Sequence, residues 1–125
     1  MPAFKAFITE FANKDTPSGL IQPSGVGTFY GQAVGGSGEG QSIHLRWTGT
    51  IAGTLSLWYS NKREPDLTTD TDWVQDTSIT LTNPAGAAGS TFMDTTNTSA
   101  RLRRLKYVNA SGAGTLTGEI EIRGY

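Results

Sequence analysis

Apolar and polar residues alternate with a period of two along most of this chain, the spacing of half-buried β-strands. In residues 42–47, Ile43, Leu45 and Trp47 fall on one side and His44 and Arg46 on the other. Residues 54–60 repeat the pattern with Leu55, Leu57 and Tyr59 inward, which leaves Trp58 outward. With Thr50-Ile51-Ala52-Gly53 between them as a turn, these two runs are expected to pair antiparallel. Residues 115–123 carry Leu116, Ile120 and Ile122 inward and Glu119 and Glu121 outward. Residues 27–34 read as one strand containing Phe29 and Tyr30, 72–74 and 90–94 as short strands, and 78–82 as a strand with Ile79 and Leu81 on one face. Residues 101–108 form a longer strand in which Arg103-Arg104 interrupts the alternation; a bulge there would turn both Leu102 and Leu105 inward. Phe4, Phe7, Ile8 and Phe11 also fit a helical stripe, but the aromatic and β-branched content and the Thr16-Pro17-Ser18-Gly19 cluster favour a strand.

Turn signals separate these runs: Gln22-Pro23-Ser24-Gly25, the glycine-rich 35–40, Asn83-Pro84 with the glycines after it, and 109–114. About eight or nine short strands at regular spacing predict an all-β fold, a jelly roll or antiparallel β-sandwich. The 125 residues fit a single domain, with residues 1–26 a candidate N-terminal arm.

Composition narrows the function classes. The absence of cysteine excludes disulfides and thiolate metal sites. Ten Lys and Arg against eleven Asp and Glu give a net charge of −1, which argues against a nucleic-acid partner and permits close association with neighbours. Met1–Glu10 has no basic stretch followed by an apolar run, so no signal peptide and no membrane partner are expected.

Catalytic chemistry finds little material. His44 is the single histidine, its mid-strand place puts it on an outer face, and no Gly-x-Ser-x-Gly elbow accompanies it. The 35–40 glycines precede a strand, not a helix with a Lys-Ser/Thr pair, so they suit a hairpin loop better than a phosphate site. Glu64, Asp66, Asp70, Asp72 and Asp76 gather in one stretch that could bind Ca²⁺, but it lacks the glycine and terminal glutamate of an EF-hand, and a solvated loop with Asx-turns is the expected outcome. No catalytic residue, metal or cofactor is therefore assigned. Trp47 and Trp73 are expected in the core, and Trp58 is the candidate glycan contact because sugars stack on exposed aromatic faces. Arg101, Arg103, Arg104 and Lys106 form the one basic run; with Arg46 they could make a strip beside Glu119 and Glu121, serving cross-strand ion pairs or an acidic partner surface.

The order Gly53-Thr54-Leu55-Ser56-Leu57-Trp58-Tyr59-Ser60-Asn61, then Asp72-Trp73-Val74, then Arg104-Leu105-Lys106-Tyr107-Val108-Asn109, then Gly112-Ala113-Gly114-Thr115-Leu116 resembles small structural proteins of tailed-bacteriophage virions. The resemblance spans residues 42–125 and implies a jelly-roll subunit, specifically a capsid cement or decoration protein that binds the major capsid protein as a homotrimer on the virion surface, made in the host cytoplasm. No binding residues transfer from it. The candidate partner contacts are therefore read from the residues themselves: Phe4, Phe7 and Phe11 in the arm, and Arg101, Arg103 and Arg104 in the basic run. The alternative is a tail or baseplate module that binds host surface carbohydrate through Trp58.

Overall fold

The computed structural model describes residues 4–10, 12–13, 27–35, 40–82, 86, 88–93 and 100–123, with side chains described from residue 27 to 121 apart from 36–40. Among the described residues the chain forms ten strands: β1 (Phe4–Glu10), β2 (Ala12–Asn13), β3 (Gly27–Tyr30), β4 (Val34–Gly35), β5 (Gly40–Gly49), β6 (Ala52–Ser60), β7 (Val74–Thr82), β8 (Gly89–Met93), β9 (Leu102–Ser111) and β10 (Gly114–Arg123). They make a four-stranded sheet in the order β1-β10-β5-β8 and a six-stranded sheet in the order β2-β3-β9-β6-β7, with β4 also on β9. Every pairing is antiparallel. The fold is an antiparallel β-sandwich. Each sheet takes strands from both halves of the chain, and the first and last strands, β1 and β10, lie side by side.

The alternation places the core where the sequence puts it. Ile43 and Leu45 of β5 and Leu116 and Ile120 of β10 meet Leu55 and Leu57 of β6 and Leu105 and Tyr107 of β9, all fully buried between the sheets. Burying an aliphatic side chain of this size stabilises the fold by about 1.5–3 kcal/mol.

The expected β5–β6 hairpin does not form. β5 pairs with β10 and β8, while β6 pairs with β7 and β9 in the other sheet. The physical reason lies in the connection. Gly49 adopts a positive φ of 83°, and Ile51 after it is fully buried, so the chain turns a corner of the sandwich with an apolar side chain plugging it. Both strands carry an apolar face, and in opposite sheets the two faces meet across the core.

The arginine pair causes no bulge. β9 stays in register with β6 from Leu102 opposite Ser60 to Asn109 opposite Gly53, and the irregularities fall instead between Ala52 and Gly53 and between Leu57 and Trp58. The expected strand at 27–34 is interrupted: β3 and β4 both lie along β9, and Gly31 N–H bridges the gap by donating to Leu105 O at 2.8 Å. The two short strands expected at 72–74 and 78–82 are one, β7. Trp47 packs on the core, but Trp73, although buried, sits outside the core cluster.

Candidate functional site

Two consecutive residues of a strand point to opposite faces, so Arg103 and Arg104 go to opposite sides of the six-stranded sheet. Both are nonetheless buried, at 0% and 1% exposure. This corrects the expectation of an exposed basic strip: of the three arginines proposed as partner contacts, Arg101 alone is exposed. Arg46, expected to join that strip, stands on the other sheet and pairs there with Glu119.

Arg103 shares the inner face with Leu105, Tyr107 and Asn109. Its guanidinium donates to Gln41 Oε1 and, at 2.7 Å, to Ala100 O. Gln41 Nε2 in turn donates to the Tyr59 hydroxyl at 2.7 Å. Burial, with Asp76 adding to it, pushes the Tyr59 hydroxyl up to about 12.

Arg104 points outward and is covered by the loop joining β6 to β7. It donates to Leu67 O at 2.8 Å and Thr69 O at 2.6 Å, and meets Asp70 Oδ1 at 3.4 Å. Its guanidinium lies between two rings, 4.0 Å from the centroid of Tyr30 and 4.3 Å from that of Trp73. Trp73 Nε1 donates to Asp66 O at 2.8 Å, the Tyr30 hydroxyl donates to Asp70 Oδ1 at 3.1 Å, and Lys106 Nζ bonds Asp70 Oδ2. The 61–73 loop is thus strapped across the outer face of the six-stranded sheet. Burial lowers the affinity of Arg104 for its proton, while Tyr30, Asp70 and Asp66 oppose that shift.

Asp66, Asp70 and Asp72 of the acidic run fasten this loop. The Asp66 carboxylate accepts from the Thr68 amide and hydroxyl, each at 2.8 Å, an Asx-turn. Asp72 accepts from Asp66 N at 2.7 Å and from Lys62 Nζ at 3.3 Å. These bonds favour the ionised acids and hold both carboxyls below the usual carboxylate range. Among the described residues no group of three or more acids and histidines converges as metal ligands would.

Trp58 stands on the outer face of β6, partly exposed, with Nε1 donated to Ser56 Oγ at 2.7 Å and Lys106 Nζ 5.1 Å from its ring centroid. In the arm, the register sets Phe4 opposite Arg123 and Phe7 opposite Ile120, so residues 4–10 are an integral edge strand of the four-stranded sheet. Phe11 and residues 14–26 lie outside the described residues.

The outer face of the four-stranded sheet presents side chains of β5, β8 and β10. His44 and Arg46 of β5 stand beside Phe92 and Ser90 of β8 and Glu119 and Thr117 of β10. Phe92 is 66% exposed. The His44 ring stacks on it at 4.7 Å and 18°. Arg46 and Glu119 form an ion pair, and Thr48 and Thr115 share a hydrogen bond at 2.5 Å. Arg46, Thr48, Ser90, Thr115 and Thr117 line a shallow depression of about 640 Å³ next to this patch. Sequence reasoning missed Phe92 because β8 is five residues long with apolar residues at consecutive positions, Phe92 and Met93, which leaves its facing unset.

No family model matches the chain, and no curated protein matches it by sequence. Among solved structures it is similar to PirA, with TM-score 0.52 and 9% identity over 93% of this chain and 90% of that one. A family 29 carbohydrate-binding module aligns with TM-score 0.38 and 13% identity over 95% of this chain and 89% of the module. A mutant of the module CBM29-2 aligns with TM-score 0.37 and 15% identity over 95% and 92%. The likeness to PirA is one of fold alone.

Proposed function

We propose that this chain is a non-catalytic binding subunit of a bacteriophage particle, a capsid decoration protein that docks on the major capsid protein through the outer face of its four-stranded sheet. Phe92 carries this proposal. A large apolar ring, two-thirds exposed in a strand otherwise polar on that side, is held in place by the His44 stack and bordered by the Arg46–Glu119 pair. Aromatic residues and arginine at the centre with hydroxyls around them are the composition of a protein-binding patch. The virion-protein resemblance of residues 42–125 supplies the partner. The subunit works by area buried on the capsid and by the summed binding of many copies, as a homo-oligomer on the virion surface, without cofactor, nucleic acid or membrane.

The test is co-sedimentation with undecorated capsids. Phe92→Ala should weaken binding by about 30-fold or more, the effect of removing a hot-spot residue worth about 2 kcal/mol, and Arg46→Glu should weaken it too. Wild-type binding by both variants would refute the docking face, and no binding by the wild type would refute the decoration role.

A second proposal, carbohydrate binding by a tail or baseplate module, has one observation in its favour: the indole of Trp58 lies on an outer face, partly exposed, beside polar groups of Ser56 and Lys106. Glycan-array binding that disappears in Trp58→Ala, with capsid binding absent, would replace the first proposal by this one.

A further inference from the structure

The four sheet edges of the sandwich are guarded unequally. β2 is two residues long, β8 is five residues long and begins at Gly89, and β1 carries Lys5 and Glu10. β7 is nine residues long, and among the described residues no strand pairs with its outer side. Its first part is shielded by the irregularity opposite Leu57 and Trp58, where Asp76 is the extra residue of the bulge. Beyond the bulge runs Thr77-Ser78-Ile79-Thr80-Leu81-Thr82, with no charge, no proline and no glycine. Soluble proteins blunt long edges with lysine, proline or bulges, because the unpaired N–H and C=O groups otherwise template another strand. This stretch has none of those devices.

The edge also leaves apolar surface unfinished. Ile79 packs on the core yet remains only partly buried, while Leu81 is buried and Ser78, Thr80 and Thr82 are exposed on the outer face. In a two-fold antiparallel pairing of the strand with itself, paired residue numbers sum to an even value. Core-facing residues then meet core-facing residues in every register. Centred on Ile79, the pairing sets Ile79 against Ile79 and Ser78 against Thr80; centred on Thr80, it sets Ile79 against Leu81 and Ser78 against Thr82. Both registers fit between the bulge and the end of the strand. Both extend the apolar face across the junction, and neither brings like charges together, because the stretch has no charges.

We infer that the occupant of this edge is a second copy of the chain: β7 pairs with β7 of another subunit across a two-fold axis, joining two six-stranded sheets into one. The contact is separate from the capsid-docking face and is tested without capsids, so either proposal can fail alone. It gives a dimer, where the virion-protein resemblance implies a trimer.

The experiment is light scattering coupled to size exclusion on the full chain, at the highest soluble concentration, with the Ser78→Lys/Thr80→Lys double variant alongside. Both positions are exposed on the outer face, so the variant keeps the core, and a melting curve checks that it does. The wild type should have twice the 13.3 kDa chain mass and the folded double variant the mass of one chain. A monomeric or trimeric wild type would overturn the inference, as would a dimer that survives both lysines. Should the variant fail to fold, hydrogen exchange on the wild type decides. Dilution to monomer should speed amide exchange in 77–82 and leave the interior strand β9 unchanged; the same rates at both concentrations would overturn it.

Discussion

Arg104 makes a quantitative test of the strapped loop possible. Arg104→Ala removes two hydrogen bonds from a charged donor to the carbonyls of Leu67 and Thr69, at 2.8 and 2.6 Å, and two cation–π contacts to Tyr30 and Trp73. The hydrogen bonds contribute about 1.5–3 kcal/mol each and the ring contacts about 0.5–2 kcal/mol each. Against this gross sum stands the recovered cost of burying a guanidinium whose Nε has no partner among the described residues, several kcal/mol. The net expectation is a loss of about 3 kcal/mol, the low end for removing one partner of a buried ionic cluster. With an unfolding entropy of about 2.1 cal/mol/K per residue over 125 residues, this lowers the melting temperature by about 11 °C. Arg104→Lys keeps the charge but gives up the planar fork that serves two carbonyls and stacks on two rings, so it should lose about half as much. Calorimetry gives the global effect. Amide exchange at Trp73, whose N–H donates to Asp70 O at 3.1 Å, reports whether the loop lifts off. A loss under about 1 kcal/mol in Arg104→Ala, with exchange at Trp73 unchanged, would refute the strap.

Two further outcomes follow from the buried groups and the corners. Burial holds the hydroxyls of Tyr59 and Tyr107 up to about 12 in the folded chain. Above about pH 10 the unfolded chain loses these protons while the folded chain keeps them, so stability is intact below that pH and falls by about 1.4 kcal/mol per pH unit per tyrosine up to pH 12. Urea denaturation between pH 9 and 11.5 should show this slope, and Tyr59→Phe should remove one tyrosine's share of it, about 1.4 kcal/mol per pH unit; a flat profile would contradict the burial. Gly112 sits at φ 80° with a hypothetical Cβ 2.0 Å from Thr50 O, whereas Gly86 at φ 78° would bring its Cβ no closer than 3.5 Å, to Thr50 Cγ2. Gly112→Ala should therefore cost more than about 2 kcal/mol and Gly86→Ala about 1 kcal/mol, the cost of left-handed backbone alone; equal melting temperatures would show that the corner yields.

The sandwich and most of its core were legible in the sequence because a period of two is a local signal. Ile43, Leu45, Leu55, Leu57, Leu116 and Ile120 could be assigned inward from their neighbours alone. Pairing was not legible in the same way. Whether 42–47 lies beside 54–60 or faces it depends on how the corner at Gly49 and Ile51 turns, and a Thr-Ile-Ala-Gly turn looks the same in either case. The arginines were misread for a related reason. Charge predicts exposure unless something covers it, and what covers Arg104 is a loop whose polar composition gives no sign that it folds back. Within this stretch, whose threonines and aspartates mark it as solvated, the carbonyls of Leu67 and Thr69 and the carboxylate of Asp70 hold a guanidinium.

This misreading bears on where a partner can bind. A two-layer sandwich offers two outer faces. On the six-stranded sheet, one is spent on the 61–73 loop: Arg104, Tyr30 and Trp73 are stacked together, Asp70 is taken by Lys106 and Tyr30, and Trp58 has Lys106 beside its ring. A partner docking there would have to displace bonds already made. On the four-stranded sheet no described loop crosses the outer face, and two of its charged residues, Arg46 and Glu119, are exposed and paired with each other, a pairing that costs little to rearrange. Among the side chains described there, the one large apolar group, Phe92, is held by a ring stack instead of by burial. Displacing water from Phe92 releases apolar surface at about 25 cal/mol per Å² without first breaking a buried hydrogen bond. That asymmetry is what supports the proposed docking through the four-stranded face over docking through the other outer face.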